Sequence, residues 1–155
     1  MSSREGIMNN ILSILVLSII TLLSSATYAE QKKVFGNFEV HYMGLTTSEL
    51  DPTVARAYGI KRSRNEGYLM ISLLKTDEGV MPIAWNGKLE AEMSNLIGQK
   101  KTLEFTRIQE SNALYFYSTF DFYDANHYRF HIKVTPDGQK RTFDVKFDQK
   151  FYRGE

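Results

Sequence analysis

Polar and apolar residues alternate along most of the chain beyond residue 36, which is the pattern of strands with one buried face. In the first such segment Phe38, Val40 and Tyr42 share one side, and Glu39 and His41 share the other. The same alternation recurs in segments 88–94, 102–106, 114–120, 128–134 and 142–147. Antiparallel sheets that have one face on a core and the other in water show this pattern.

The two alternating segments nearest the C-terminus form the clearest predicted hairpin. Between them lies a Pro-Asp-Gly turn at 136–138, whose residue types favour turn conformations. The outer faces of both arms are charged, and Asp144 is expected to pair across the strands with Arg129, His131 or Lys133. We therefore predict an antiparallel pair with one wet face.

One short helix is predicted near the middle of the chain. Asp51 can accept the free amide hydrogens of a first helical turn, and Pro52 suits the first helical position. Gly59 favours a helix end, because glycine tolerates the left-handed backbone conformation. These signals predict a helix over 52–58.

The predicted helix leads into the most apolar strand of the chain. Val54 and Tyr58 are four residues apart, so they share a helix face that is expected to dock on the core. A polar, basic turn at 61–67 follows, and segment 68–74 is then apolar except for Ser72. A strand that is apolar on both faces is covered on both sides. We therefore expect 68–74 to be a central strand and the helix to cap one open edge of the core.

A second hairpin is predicted at Asn86-Gly87, because both residue types tolerate the positive φ of a tight turn. Pro82, shortly before it, lacks an amide hydrogen and therefore indicates an edge strand or a bulge. The only tryptophan, Trp85, is interpreted as a packing residue of this hairpin. Another turn is predicted at 95–98.

Together these patterns predict about seven short strands separated by turns, and one short helix at 52–58, which is typical of a β-sandwich. The predicted fold class is all-β, a single antiparallel β-sandwich of the immunoglobulin-like kind. The pattern leaves open the order of the strands within the two sheets.

Residues 1–29 differ from the rest of the chain and have the features of a cleaved secretory signal peptide. Residues 11–23 are mostly apolar, and small residues lead up to Ala29. Cleavage is expected after Ala29, with cleavage after Ala26 as the alternative. The apolar run is shorter than the ~20 residues of a membrane span, which counts against an uncleaved anchor. Residues 30–155 are then expected to form one exported β-sandwich domain in a bacterial periplasm.

Composition argues against several chemistries. A net charge of +1 is too small for a general nucleic-acid binder. The absence of cysteine removes disulfides, thiolate nucleophiles and cysteine-based zinc sites. The chain has three histidines, and on one strand His127 and His131 would stand ~13 Å apart, too far to share an ion. We therefore predict no metal site and no cofactor.

No constellation of catalytic residues stands out. The chain has neither a Gly-x-Ser-x-Gly elbow nor a glycine-rich phosphate loop. Carboxylates are plentiful, but no pair is singled out for glycoside hydrolysis. We therefore predict no catalytic residues and favour a binding protein over an enzyme.

The first candidate binding element is the basic turn with the helix before it. It carries Arg56, Lys61, Arg62 and Arg64, with Tyr58 among them. These cations can face an anionic partner, such as a phosphorylated lipid head group or an acidic protein patch. The alternative is a solvated turn with scattered charges.

The second candidate is an outward aromatic row formed by Tyr115 and Tyr117 and extended by Tyr123. Exposed tyrosines are frequent anchors of protein interfaces. The alternative is that these rings lie in the core of a second sheet or under a loop.

Several segments of the chain resemble a known family. They are residues 36–42, 54–60 with the basic turn, 95–99 and 147–152, of which the Ala-Arg-Ala-Tyr-Gly-Ile block at 55–60 is the most specific. The family consists of small exported bacterial proteins known only as a domain of unknown function. The resemblance implies a single β-sandwich domain in the envelope, and it implies no catalytic or binding residues.

The leading functional hypothesis is a non-catalytic periplasmic module that binds a protein or another envelope component through the 51–65 loop and helix. It implies no nucleic-acid partner and no membrane span after signal cleavage, and it leaves the oligomeric state open. One alternative is a small-molecule carrier or hydrolase with a cleft between the sheets, lined by Glu104 or Asp121 with a tyrosine in reach. Another is a purely structural envelope protein.

Overall fold

The computed structural model describes residues 31–154, so the predicted signal peptide and its cleavage site lie outside the described residues. Its elements in chain order are β1 (Gln31–Phe35), β2 (Phe38–Thr46), a 3-10 turn (Thr47–Glu49), α1 (Pro52–Ala57), β3 (Glu66–Lys75), β4 (Ile83–Ala84), β5 (Gly87–Asn95), β6 (Lys100–Leu103), β7 (Thr106–Glu110), β8 (Ala113–Asp121), β9 (Asn126–Pro136) and β10 (Phe143–Phe151).

The strands form two antiparallel sheets. Six strands form one sheet, in the order β1-β2-β3-β8-β7 with β4 beside β3, and four form the other, in the order β10-β9-β5-β6. This confirms the predicted all-β antiparallel sandwich with one short helix. The ten described strands exceed the predicted number, because β1, β4 and β7 are short and their sequences do not alternate clearly.

The core lies between the inner faces of the two sheets. Its fully buried aliphatic side chains come from four long strands and are Val40, Leu69, Ile71, Leu73, Ile132, Val134 and Val145. Aromatic rings fill the remaining space; Phe130 stacks on Phe147 with ring centroids 4.8 Å apart. Burying one such side chain contributes ~1.5–3 kcal/mol. The inner faces therefore form one continuous apolar cluster.

Strand β3 is central in the larger sheet, as predicted for 68–74, and both of its faces are buried. Its inner face belongs to the core, whereas Tyr68 lies in a second cluster with Leu45, Ala55 and Ile60. Helix α1 therefore covers the outer face of the larger sheet and does not cap an open edge of the core. The predicted position was wrong because the apolar outer face of β3 needs a cover of its own.

The buried face of α1 also differs from the prediction. Val54 is 43% exposed, whereas Ala55 is only 2% exposed. Tyr58 does pack against the second cluster, although it is only half-buried. A helix of six residues docks through one small side chain, so the spacing of its larger apolar residues did not identify the buried face.

The Asn86-Gly87 hairpin is not formed. β4 pairs with β3 in the larger sheet and β5 pairs with β9 in the smaller one, so the chain crosses between the sheets at this point. The indole Nε1 of Trp85 donates to the carbonyl of Asp137 at 3.0 Å, which holds the crossing segment against the β9–β10 turn. Glycine is required at 87 because the backbone of β9 passes close to it: an added Cβ would stand 2.8 Å from the carbonyl oxygen of Thr135.

The other predicted turns are confirmed. The amide of Gly98 donates to the carbonyl of Asn95 at 3.1 Å, which closes the turn between β5 and β6. β9 and β10 pair antiparallel around the turn after Pro136. Of the three predicted partners of Asp144, His131 makes the contact.

Replacing Gly67 by alanine tests how tightly β3 is packed. Gly67→Ala is expected to destabilise the fold by ~1–3 kcal/mol, because an added Cβ would collide with the ring of the cross-strand partner Phe120. Urea unfolding followed by the fluorescence of Trp85 measures the change. Glu66→Ala, at the neighbouring half-buried position, is the control and should stay within ~0.5 kcal/mol of wild type. Equal midpoints for the two variants would contradict the prediction.

Candidate functional site

Several connections meet at one end of the sandwich, which we call the helix end. They are the 3-10 turn, α1, the basic turn at 61–65, the loop at 122–125, the β5–β6 turn at 96–99 and the tail at 152–154. The amide of Phe122 donates to the carbonyl of Asn65 at 3.1 Å, and Asn95 pairs with Tyr128 near the start of β9. The predicted helix and basic turn therefore lie at the same end of the sandwich as segments that are distant in sequence.

Helix α1 begins as predicted and ends one residue earlier, at Ala57. Oδ1 of Asp51 accepts hydrogen bonds from the amides of Thr53 at 2.7 Å and Val54 at 3.3 Å. These amides hold the pKa of the Asp51 carboxyl below its ordinary value. Gly59 follows the helix with a φ of 65°, so the chain turns there towards the basic turn.

The basic turn is held in place by a buried threonine. Thr47, which is fully buried, accepts a hydrogen bond on Oγ1 from the amide of Ser63 at 2.9 Å and donates one to the carbonyl of Ser63 at 3.1 Å. One hydroxyl thus satisfies both backbone groups of a turn residue. No pattern in the sequence distinguished Thr47 from other polar loop residues.

Two of the predicted binding arginines also brace the structure. A guanidinium nitrogen of Arg62 donates to the carbonyl of Ser48, and Nε of Arg64 donates to the carbonyl of Gly154 at 2.7 Å. Arginine has five N–H donors, so each side chain keeps donors for a ligand. Their positions are therefore set by the 3-10 turn and the C-terminal tail.

The other two cations of the basic element are exposed. Nε of Arg56 makes only a 3.3 Å hydrogen bond to the carbonyl of Pro52 within its own helix. Lys61 has no hydrogen-bond or ion-pair partner within residues 31–154. These two side chains are the freest cations of the predicted site.

The C-terminal tail is fastened across the helix end. Thr46 Oγ1 donates to the carbonyl of Tyr152 at 3.0 Å, and the amide of Arg153 donates to Oδ1 of Asp124 at 2.8 Å. A cleft of about 470 Å³ lies between the tail and the end of β2, with Ser48 on its wall. The sequence suggested only that the tail stays with the sheet.

The predicted aromatic row is divided by the fold. Tyr117 stacks on Tyr68 with centroids 5.5 Å apart and packs with Tyr58 against the cluster under α1. Burial, aided by Tyr117, raises the pKa of Tyr68 to about 12, so that hydroxyl stays protonated. Tyr115 is half-buried further along the same face, and Tyr123 is highly exposed.

An ion-pair chain on β1 and β2 lies away from this surface. The Glu39 carboxylate contacts Nε2 of His41 at 2.9 Å and Nζ of Lys32 at 3.1 Å. The His41 hydrogen bond, followed by that from Lys32, holds the pKa of Glu39 below its ordinary value. Within residues 31–154, no group of three or more His, Cys, Asp or Glu residues is placed to hold a metal ion.

The two larger clefts described within residues 31–154 do not lie where the carrier hypothesis placed one. Both lie at the rim of the core, whose inner faces are packed with side chains. The second, of about 640 Å³, lies at the opposite end between β4 and the β7–β8 hairpin. Neither cleft is lined by Glu104 or Asp121.

Comparison with known proteins gives the family. The family model described as "Domain of unknown function (DUF4426)" matches residues 32–154. The chain belongs to this family. The DUF4426 protein PA0388 from Pseudomonas aeruginosa PAO1 has 28% sequence identity and a TM-score of 0.68, with 81% of this chain and 97% of that chain covered. The resemblance read from the sequence is thereby confirmed.

More distant structures share the fold. A copper-bound variant of FetP from uropathogenic Escherichia coli strain F11 has 15% identity and a TM-score of 0.55, covering 81% of this chain and 96% of that one. FetP recombinantly expressed in the E. coli periplasm gives 14% identity and a TM-score of 0.55, covering 82% and 96%. The comparison with curated proteins gave no match. Across residues 31–154, no helix has the length and apolarity to cross a membrane.

Replacing Thr47 by valine tests the anchor of the basic turn. Thr47→Val leaves the amide and carbonyl of Ser63 without their buried partner, which is expected to cost ~1–3 kcal/mol of stability. Hydrogen exchange of the amides at 61–65 should accelerate. Thr102→Val, at an exposed position on β6, is the control. Unchanged exchange at 61–65 would show that other contacts hold the turn.

Acidification tests the cap of α1. Because the pKa of Asp51 is lowered in the folded state, its stabilising effect is present above an ordinary pKa of about 4 and is lost as the pH falls through the folded value. The amide NMR shifts of Thr53 and Val54 should titrate with a midpoint below the ordinary pKa of an aspartate carboxyl. Asp51→Asn keeps an acceptor oxygen and should abolish this titration. Persistence of the titration in that variant would exclude Asp51 as its source.

Proposed function

We propose that this chain is a non-catalytic binding module of the bacterial envelope and that it binds its partner through the helix end. One observation carries the proposal. The basic turn is held by the side chains of Thr47, Arg62 and Arg64 to the 3-10 turn and to the tail. A turn that is fixed in this way loses little conformational entropy on binding, so its exposed cations are preorganised for an anionic partner.

The proposal assigns different roles to the predicted residues. Arg56 and Lys61 would contact the partner directly, because both are exposed and neither holds another element in place. Arg62 and Arg64 would contact it with their remaining donors. Tyr58 and Tyr117 would support the surface from the cluster beneath α1.

An exported, periplasmic location is part of the same proposal. It rests on the signal-like residues 1–29, in which a mostly apolar segment is followed by small residues that lead up to Ala29. The likeness to FetP supports the fold alone, since the identity is 15%. The copper bound in the FetP variant is a property of that protein and is no part of this proposal.

A carrier or hydrolase is the weaker alternative. Ligand pockets are concave sites that enclose most of the ligand, and the space between these sheets is filled by packed side chains. A purely structural role would leave the exposed cations of the helix end without a partner. Reversing the charges of Arg56 and Lys61 would then change no binding.

Charge reversal at the two freest cations tests the proposal in cells. A photo-activated cross-linker at the exposed position Ala57, next to Arg56, in the exported protein is expected to capture a dominant envelope partner, identified by mass spectrometry. The double variant Arg56→Glu with Lys61→Glu should lower that capture about tenfold or more, equivalent to ~1.4 kcal/mol of binding. The melting temperature should stay within a few degrees.

The matched control is Arg107→Glu with Lys140→Glu, which makes the same charge change on exposed residues away from the helix end and places no new carboxylate opposite another. It should leave the capture unchanged. If both double variants lowered the capture equally, the change in net charge alone would explain the loss, and the helix end would not be the binding surface. Capture that survives the Arg56 and Lys61 reversal would place the binding surface elsewhere.

A further inference from the structure

The turn between β5 and β6 holds two aliphatic side chains in water. Leu96 is 61% exposed and Ile97 is 80% exposed. The turn is rigid, because Oδ1 of Asn95 accepts the amide of Gln99 at 2.9 Å and the two side-chain amides bond at 2.7 Å. Gly98 completes it with a φ of 85°. Two adjacent exposed aliphatic residues on an ordered turn form an apolar patch, and such patches mark interaction sites when further exposed apolar residues lie around them.

Two exposed tyrosines lie at the same end of the sandwich. Tyr123, in the loop between β8 and β9, is 74% exposed, and Tyr152, in the tail, is 58% exposed. Nζ of Lys150 lies 4.9 Å from the centroid of the Tyr152 ring. Tyrosine has an apolar body and a polar tip, which suits the boundary between water and lipid.

The charges of the helix end favour binding to an anionic surface. Three of its carboxylates, those of Glu49, Asp51 and Asp124, accept hydrogen bonds from backbone amides, which partly balance their charge. The side chains of Lys61 and Arg153 are exposed at the same end.

The opposite end also carries an apolar patch, but its charges differ. Its exposed apolar residues Val80, Met81 and Ile83 follow on Asp77, which is paired with Nζ of Lys75 at 3.3 Å, and on the exposed Glu78. Segment 76–83 has no cation of its own, whereas the basic turn and the tail supply several at the helix end. Charge complementarity to an anionic surface therefore favours the helix end over the other apolar patch.

We infer that the helix end docks on an anionic phospholipid membrane. Leu96 and Ile97 enter the boundary between headgroups and acyl chains, and Tyr123 and Tyr152 lie at headgroup level. The cations of the basic turn and the tail contact lipid phosphates. Apolar burial together with electrostatic attraction is how surface-bound proteins hold to membranes without spanning them. This inference rests on the proposed function and names the envelope component that the helix end binds.

Vesicle binding tests the inference with the purified exported protein, whose N-terminus is first established by mass spectrometry. Vesicles of phosphatidylglycerol and phosphatidylethanolamine should sediment the protein, and vesicles of phosphatidylcholine alone should not. Leu96→Ser with Ile97→Ser should weaken binding about tenfold or more, because two apolar side chains no longer leave water. The urea midpoint should be unchanged, since both residues are exposed.

The matched control is Val80→Ser with Met81→Ser at the opposite end, which should bind like wild type. Because the chain has no cysteine of its own, a single introduced cysteine can be labelled with a dye, and the dye gives a second readout. An environment-sensitive dye on Ile97→Cys should shift to the blue with anionic vesicles, and the same dye on Met81→Cys should not.

Equal loss in the two serine variants, equal binding to neutral vesicles or no vesicle binding at all would overturn the inference. If the protein does not bind vesicles but the Arg56 and Lys61 reversal still removes a cross-linked protein, the helix end binds a protein and the proposed function stands. If the protein does not bind vesicles and the reversal also leaves cross-linking unchanged, the proposed function fails together with the inference.

Discussion

The burial of β3 on both faces is the constraint on which the rest of the structure depends. Its inner face completes the core between the sheets, and the smaller sheet covers it. Its outer face cannot remain in water either, because Tyr68 and its neighbours are apolar. A sandwich has only two sheets, so a separate element must cover that face. Helix α1 does so through Ala55, and the chain must therefore leave β2, cross the sheet and return.

That detour produces the surface to which we assign function. The connection that carries α1 must turn back into β3, and the turn is rich in cations. Thr47 binds the turn from within, while Arg62 and Arg64 join it to the 3-10 turn and the tail. The same arginines thus contribute to the order of the surface and to its charge. Binding at this end and stability of this end are therefore coupled, which is why Arg56 and Lys61 are the better positions for testing binding alone.

Local rules predicted the elements whose stability is local. Asp51 and Gly59 marked the helix because a cap and a left-handed glycine act on adjacent backbone groups. Alternation predicted the β9–β10 pair because its turn joins neighbouring strands. The same local reasoning failed at Asn86-Gly87, where the chain changes sheets. There Trp85 and Asp137 bond across 52 positions of sequence, and glycine is needed because another backbone approaches closely.

The sequence by itself determined the fold class, the central strand, the short helix and the basic turn, because each depends on residue types within a few positions of one another. Only the tertiary structure decided which face α1 covers, that Tyr117 lies under it, and that Leu96, Tyr123 and Tyr152 share an end with the basic turn. These facts depend on strand order and on contacts between distant segments. Alternation states which face of a strand is apolar, but it carries no information on which strand becomes its neighbour.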